Sequence, residues 1–379
     1  MQQTPTKRMR SLTAGLLSTC ILAAAFGFLI VKKQEFSTNE NRYLAAMPKL
    51  TWEAVREGTY MEEWSSYLSD HFLFRDFFMG CKTQVEMLLG RREINGVLIA
   101  EDGYRIEEYQ TPQNTERIIG ILQKFADKLP EQSIDLMLVP TAVWVCQDKL
   151  PPLFHGEDQM QTAELLYQSV TMQKIDSSTR LLEAEKKGEE ALFYRSDHHW
   201  TTYGAYQGYL SYCEAKGITP VLLEELQKES VTQAFYGTIY SKISDYRMKG
   251  DEIVLFYNPK NQLTVTYEDT GEVTDTLYNL DYLKEKDKYS LFLNNIHPLV
   301  TVENATADSD RVLVLIKDSY ANSMLPFLVN HYAKIYVFDT RYYRMGPSAF
   351  IKEHEEITDV LLLYNMNTLD GDLGLRAIY

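Results

Sequence analysis

Arg311-Val-Leu-Val-Leu-Ile316, running into Lys317-Asp-Ser-Tyr-Ala-Asn-Ser323, decides how the rest of the chain is read. A short apolar run bounded by polar residues is the pattern of a strand buried on both faces, as in a parallel sheet. The polar turn passes into Met324-Leu-Pro-Phe-Leu328, so a helix is expected directly after it. Two further runs follow in the same rhythm, Lys334-Ile-Tyr-Val-Phe-Asp339 and Asp359-Val-Leu-Leu-Leu-Tyr364. Upstream, Ile134-Asp-Leu-Met-Leu-Val-Pro140 reads the same way, between helical patterns over residues 111–128, opened by Thr111-Pro112, and 160–187, broken near residues 176–178. This alternation predicts an α/β fold with a central parallel sheet. Such sheets bind ligands at the carboxyl ends of their strands. Ser319 stands at one of these ends and opens a helix, where free N–H groups and the positive dipole end gather. The N–H of Ser319 or Tyr320 is a candidate oxyanion donor. Tyr364 and Asn365, at the expected same rim, are candidate substrate or oxyanion contacts, although Asn365 reads equally well as a turn residue.

A serine nucleophile needs a base, and Arg195-Ser-Asp-His-His-Trp-Thr-Thr202 offers one. Leu192-Phe-Tyr194 reads as a short strand entering this motif, and Thr201-Thr202 as the start of a helix through residue 216. In an extended segment residues i and i+2 share a face. Asp197 could then orient His199, while His198 faces away, which gives the second half of a triad. His198 and Trp200 are assigned supporting roles. The loop alone also admits a structural role or a metal site, but adjacent histidines bind one ion poorly. His155, His297, His331 and His354 show no ligand spacing. His71, in Asp70-His-Phe-Leu-Phe-Arg-Asp76, is expected to be structural.

The net charge of −15 repels nucleic acid, and no basic cluster follows the first helix to offset it. Cys20, Cys81, Cys146 and Cys213 are scattered without zinc spacing, and their placement argues against a full disulfide framework. Residues 11–31 contain no charge, enough length for a ~30 Å hydrocarbon core, with Lys7, Arg8 and Arg10 before and Lys32 and Lys33 after. The organisation expected is a cytoplasmic tail over 1–10, a single-pass anchor over 11–31, a linker over 32–50 and an extracytoplasmic body over 51–379. A cleaved signal peptide or a lipidated Cys20 is the competing reading. Residues 51–89 read as helical, with Trp52, Tyr60, Trp64, Tyr67, Leu68, Phe72 and Phe74 in a rough stripe, and Asn95 to Tyr104 as a hairpin turning at Asp102-Gly103. From about residue 231 to 304, β-like runs at Phe235–Tyr240, Ile253–Tyr257, Leu263–Tyr267 and Tyr289–Leu293 suggest a β-rich insertion that either shapes a cleft or covers the sheet.

Ser196-Asp-His-His-Trp-Thr201 resembles the signature of the bacterial DHHW protein family, which is similar to the periplasmic alginate O-acetyltransferase proteins with an SGNH hydrolase-like fold. The Glu40-Asn-Arg-Tyr-Leu44 and Asp70-His-Phe-Leu-Phe-Arg75 segments and the tail from Tyr364 carry the likeness along nearly the whole chain. The resemblance implies a three-layer sandwich with Asp197, His199 and Ser319 as catalytic residues, in an order permuted from ordinary SGNH hydrolases. Lys317-Asp-Ser319 departs from their Gly-Asp-Ser, which leaves the oxyanion donors open. The activity implied is serine O-acyl transfer, acetyl foremost, to a cell-surface or exported polysaccharide, with a membrane-bound O-acyltransferase partner as acyl source. No metal or dissociable cofactor is required. A carbohydrate esterase with the same triad, or a non-catalytic glycan-binding module, to which the 26 tyrosines would suit, are the alternatives.

Overall fold

The computed structural model describes residues 7–30, 33–37, 42–369 and 374–379. Residues 1–6, 31–32 and 38–41, which hold parts of the expected tail, anchor and linker, lie outside the described residues. The chain divides into two units, Met1–Gly90 with Ile243–Tyr246, and Arg91–Lys242 with Arg247–Tyr379.

In the first unit, α1 (Lys7–Ile30) contains Leu12–Ile30, a span long and apolar enough to cross a membrane, although a signal sequence meets the same test. The helical stretch after residue 51 is three helices, α2 (Trp52–Glu57), α3 (Thr59–Asp70) and α4 (Arg75–Leu88). Gly58, at φ 81°, breaks the first junction in a conformation that glycine adopts without strain. Of the expected stripe Tyr67 is buried, whereas Trp52, Leu68, Phe72 and Phe74 are exposed. His71 Nε2 lies 3.0 Å from the Ala45 carbonyl and Asp70 accepts from the Ala45 N–H at 2.8 Å, so this polar cluster pins the incoming chain.

The second unit is built on an eight-stranded sheet. Its strands are β1 (Ile134–Val139), β2 (Gln173–Lys174), β3 (Leu263–Tyr267), β4 (Glu272–Thr274), β5 (Leu299–Asn304), β6 (Val312–Lys317), β7 (Lys334–Phe338) and β8 (Asp359–Asn365). Their spatial order is β4-β3-β5-β7-β6-β8-β1-β2. The β7-β6-β8-β1-β2 pairs are parallel, as the apolar runs predict. Every position of β1, β6 and β8 is buried, and since alternate residues face opposite sides, both faces of the sheet centre are covered. Each such Leu, Ile or Val side chain contributes about 1.5–3 kcal/mol when removed from water.

The expected central parallel sheet is therefore present as part of a larger, mixed one. β3 and β5, from the stretch read as an insertion, join β7 edge-on and antiparallel, so that stretch extends the sheet. Only Gln227–Phe235 and Asp251–Tyr257 pair apart from it, as a separate antiparallel ribbon. Two β-like runs are helical instead: Thr238–Ile243 forms an α-helix and Lys288–Leu291 a 3₁₀ turn. Ile239, Ile243, Tyr289 and Leu291 are buried there, and packing overrides propensity.

The helices of this unit include α5 (Thr115–Lys128), α6 (Gln159–Ser169), α7 (Ser178–Lys187), α8 (Thr202–Lys216) and α9 (Ala321–Leu328). α5 begins four residues later than Thr111-Pro112 suggests, and the Thr111 N–H is instead bonded by Glu157. The expected hairpin near residue 100 is a three-stranded meander, Glu93–Ile94, Val97–Ile99 and Arg105–Glu107, with a second turn at Asn95-Gly96. Cys81, Cys146 and Cys213 are free thiols.

Candidate active site

The motif at residues 195–202 is not preceded by a sheet strand. Phe193 makes one antiparallel bridge, to Trp200, and the chain between them is a closed bend. The Thr201 N–H donates to Leu192 O at 2.8 Å, and the Thr201 side chain caps α8 by accepting from the Gly204 N–H. Trp200 is fully buried. Asp251 fixes the other side, accepting from the N–H groups of Arg195 (3.0 Å) and Ser196 (2.8 Å) and from Ser196 Oγ (2.6 Å).

Inside the bend Asp197 Oδ1 accepts from the His199 N–H at 3.0 Å and from its Nδ1 at 2.5 Å. The pairing thus arises from a side-chain-closed turn, not from the alternation of an extended strand. Oδ2 accepts from the Thr238 N–H (2.8 Å) and hydroxyl (3.1 Å). Gly237 lets this loop approach: a Cβ there would stand 2.1 Å from Asp197 Oδ2. Burial alone would raise the Asp197 pKa, but the two imidazoles and the Thr238 N–H hold it well below the usual carboxylate range. Burial and the neighbouring His198 push His199 down to about 4, against the pull of Asp197. His199 is therefore neutral, with its proton on Nδ1, and its Nε2 lone pair lies 2.7 Å from Ser319 Oγ.

Ser319 follows β6 and precedes α9, and is partly exposed. Tyr289 lies flat on the His199 ring, and its hydroxyl donates to the Ser319 carbonyl at 3.0 Å. The neighbouring Asp318 is fully buried and accepts from the Tyr320 N–H (2.8 Å), the Asn365 N–H (2.6 Å) and Nδ2 (2.8 Å), and Thr368 Oγ1 (2.8 Å). Burial raises its pKa despite these donors.

The structure thus brings Asp197, His199 and Ser319 into one hydrogen-bonded line. The other expected contacts are corrected. The Tyr320 N–H is engaged by Asp318, so it is no oxyanion donor; its hydroxyl instead donates to His198 O at 2.6 Å. Tyr364 is fully buried in β8, 3.3 Å from Thr340 Oγ1. Asn365 is 1% exposed and its amide holds Asp318, because strand end and turn close over that carboxylate. The Ser319 N–H, just before this helix, has no partner among the described residues. Trp200 Nε1 donates to Tyr320 O at 2.9 Å, tying the motif to the serine turn. His198 does not face away: its ring sits 3.9 Å from that of His199. Asp197, His198 and His199 are close enough together to share a metal ion, but both ring nitrogens of His199 are already engaged by Asp197 and Ser319. Sequence reading missed Tyr289, Gly237, Thr238 and Asp251; the Gly-Thr pair inside an apolar run was the one available sign.

The fold and this line define an α/β protein with a Ser–His–Asp constellation at the carboxyl end of its sheet. The chain belongs to the DHHW protein family, whose model matches residues 107–338. Among solved structures it is similar to a DHHW family protein from Eubacterium siraeum, with 23% identity, TM-score 0.65, and coverage of 75% of this chain and 96% of that one. It is also similar to Bacillus cereus PatB1 with a sulfonyl adduct, with 17% identity, TM-score 0.60, and coverage of 75% and 98%. The O-acetyltransferase domain of Pseudomonas putida AlgJ matches at 13% identity and TM-score 0.45, covering 73% of this chain and 92% of that domain. No curated protein matches the chain.

Proposed function

We propose that this chain is a serine O-acyltransferase, with acetyl as its acyl group, that modifies a cell-surface or exported polysaccharide. The observation that carries the reading is the continuous line Asp197 Oδ1–His199 Nδ1 (2.5 Å) and His199 Nε2–Ser319 Oγ (2.7 Å). Ser319 Oγ attacks the carbonyl carbon of an acyl ester while its proton passes to His199 Nε2. Asp197 keeps the imidazole in the Nδ1–H tautomer and offsets the charge it gains. The Ser319 N–H faces the developing oxyanion. Collapse returns the proton to the leaving alkoxide and leaves acyl-Ser319. A sugar hydroxyl then attacks that ester, its proton passing through His199 to Ser319 Oγ as the serine departs.

The SGNH-like sandwich is the fold this reading assumes for the body after residue 51. Leu12–Ile30 serves as a single-pass anchor that holds the body outside the membrane, where a membrane-bound O-acyltransferase supplies the acyl group. With water as acceptor the same residues give an esterase, a reading favoured by the partial exposure of Ser319. The test is turnover of a chromogenic acetyl ester by wild type, Ser319→Ala and His199→Ala. The reading requires both variants to fall by at least about a thousandfold, and equal turnover by all three would overturn it.

A further inference from the structure

Asp197 has two carboxylate oxygens, and only one of them serves the line to Ser319. The other receives the Thr238 hydroxyl proton at 3.1 Å. A hydroxyl has one proton to give, and with that proton on Asp197 the Thr238 Oγ1 accepts from His198 Nδ1, 2.6 Å away. That assigns the His198 proton to Nδ1 and its lone pair to Nε2. The His198 side chain is 30% exposed, and its Nε2 has no partner among the described residues. Its ring lies beside that of His199, 3.9 Å between centroids at 36°. One buried carboxylate therefore orients two imidazoles into the same tautomer. One lone pair meets Ser319, and the other belongs to a half-buried ring packed beside that of His199.

We propose that the two imidazoles together read a vicinal diol on the acceptor. His198 Nε2 accepts a hydrogen bond from one hydroxyl, and the adjacent hydroxyl attacks acyl-Ser319 with His199 as its base. The proton count is unchanged by this: the reacting hydroxyl's proton goes to His199 Nε2 and then to Ser319 Oγ, the new ester bond forms as the acyl–serine bond breaks, and the hydroxyl on His198 keeps its proton. Water cannot occupy both positions as one molecule, so the second arm favours transfer to sugars over hydrolysis. The inference rests on the acyl-serine reading above.

The experiment supplies a chromogenic acetyl ester as donor with ethylene glycol and ethanol as competing acceptors, and measures the ratio of glycol ester to ethyl ester. Wild type is compared with His198→Ala, which removes the lone pair, and Thr238→Val, which removes the hydroxyl that orients it. Loss of one hydrogen bond lowers the ratio about fivefold in both variants. A ratio unchanged from wild type in either variant overturns the proposal. Formation of both esters by Ser319→Ala would instead overturn the acyl-serine reading itself, so the two failures are distinct.

Discussion

The Tyr289 ring stacks on the His199 imidazole with 3.7 Å between centroids and 9° between planes. The same tyrosine donates to the carbonyl of Ser319 at 3.0 Å. A single side chain thus fixes both the plane of the proposed base and the backbone of the proposed nucleophile. Tyr289→Phe keeps the stack and loses the hydroxyl contact, so acetyl-ester turnover falls roughly three- to tenfold, the worth of one hydrogen bond. Tyr289→Ala also frees the ring and leaves a cavity, costing about 3–5 kcal/mol of stability. Steady-state kinetics and urea unfolding on both variants separate the two contributions; equal kinetics for the two would contradict the stacking role.

Gly237 packs its backbone directly against the Asp197 side chain. With a Cβ placed 2.1 Å from Asp197 Oδ2, either the loop or the carboxylate must move. Because a shift of about 1 Å at a catalytic group costs on the order of a hundredfold in rate, Gly237→Ala should lose that much turnover. The measurement is kcat at saturating ester, with circular dichroism to check that the fold is kept.

The proposed base must be neutral to take the serine proton, so activity falls as pH drops through the folded pKa of His199. Burial and the adjacent His198 set that value to about 4, below the ordinary histidine range. The pH profile of kcat/KM should therefore stay flat from neutral pH down past 6 and bend only near 4. An acid limb centred at or above the ordinary value near 6.5 would show that Asp197 outweighs burial.

Asp318 gathers four donors in a fully buried place. Asp318→Asn puts an amide N–H against some of those donors and leaves them unsatisfied. Stability should drop by about 2–4 kcal/mol, read as a lower urea midpoint with an unchanged slope. An unchanged midpoint would mean that the turn before Ser319 is held by other contacts.

The parallel strands were legible because runs such as Val312–Ile316 are apolar at successive positions that the sheet buries on both faces. Ser319 and the Asp197–His199 pair were legible from chemistry at element ends, yet the pair meets through a tight turn, and that turn is why His198 lies beside His199. Tyr289 and Thr238 were not legible. They come from a stretch whose aromatic and β-branched content signals burial without saying which ring faces which imidazole. The roles expected of Tyr320, Tyr364 and Asn365 failed for a related reason. Being near the carboxyl rim does not fix side-chain direction, and the buried Asp318 takes up the Tyr320 and Asn365 N–H groups.

The central claim is that His199 activates Ser319, and covalent labelling tests it most directly. Phenylmethylsulfonyl fluoride is incubated with wild type, Ser319→Ala and His199→Ala, and the modified peptide is located by mass spectrometry. The account predicts one sulfonyl group per wild-type chain, on Ser319, and none on that peptide in either variant. Labelling of His199→Ala at the wild-type rate, or a label elsewhere with Ser319 untouched, would contradict it.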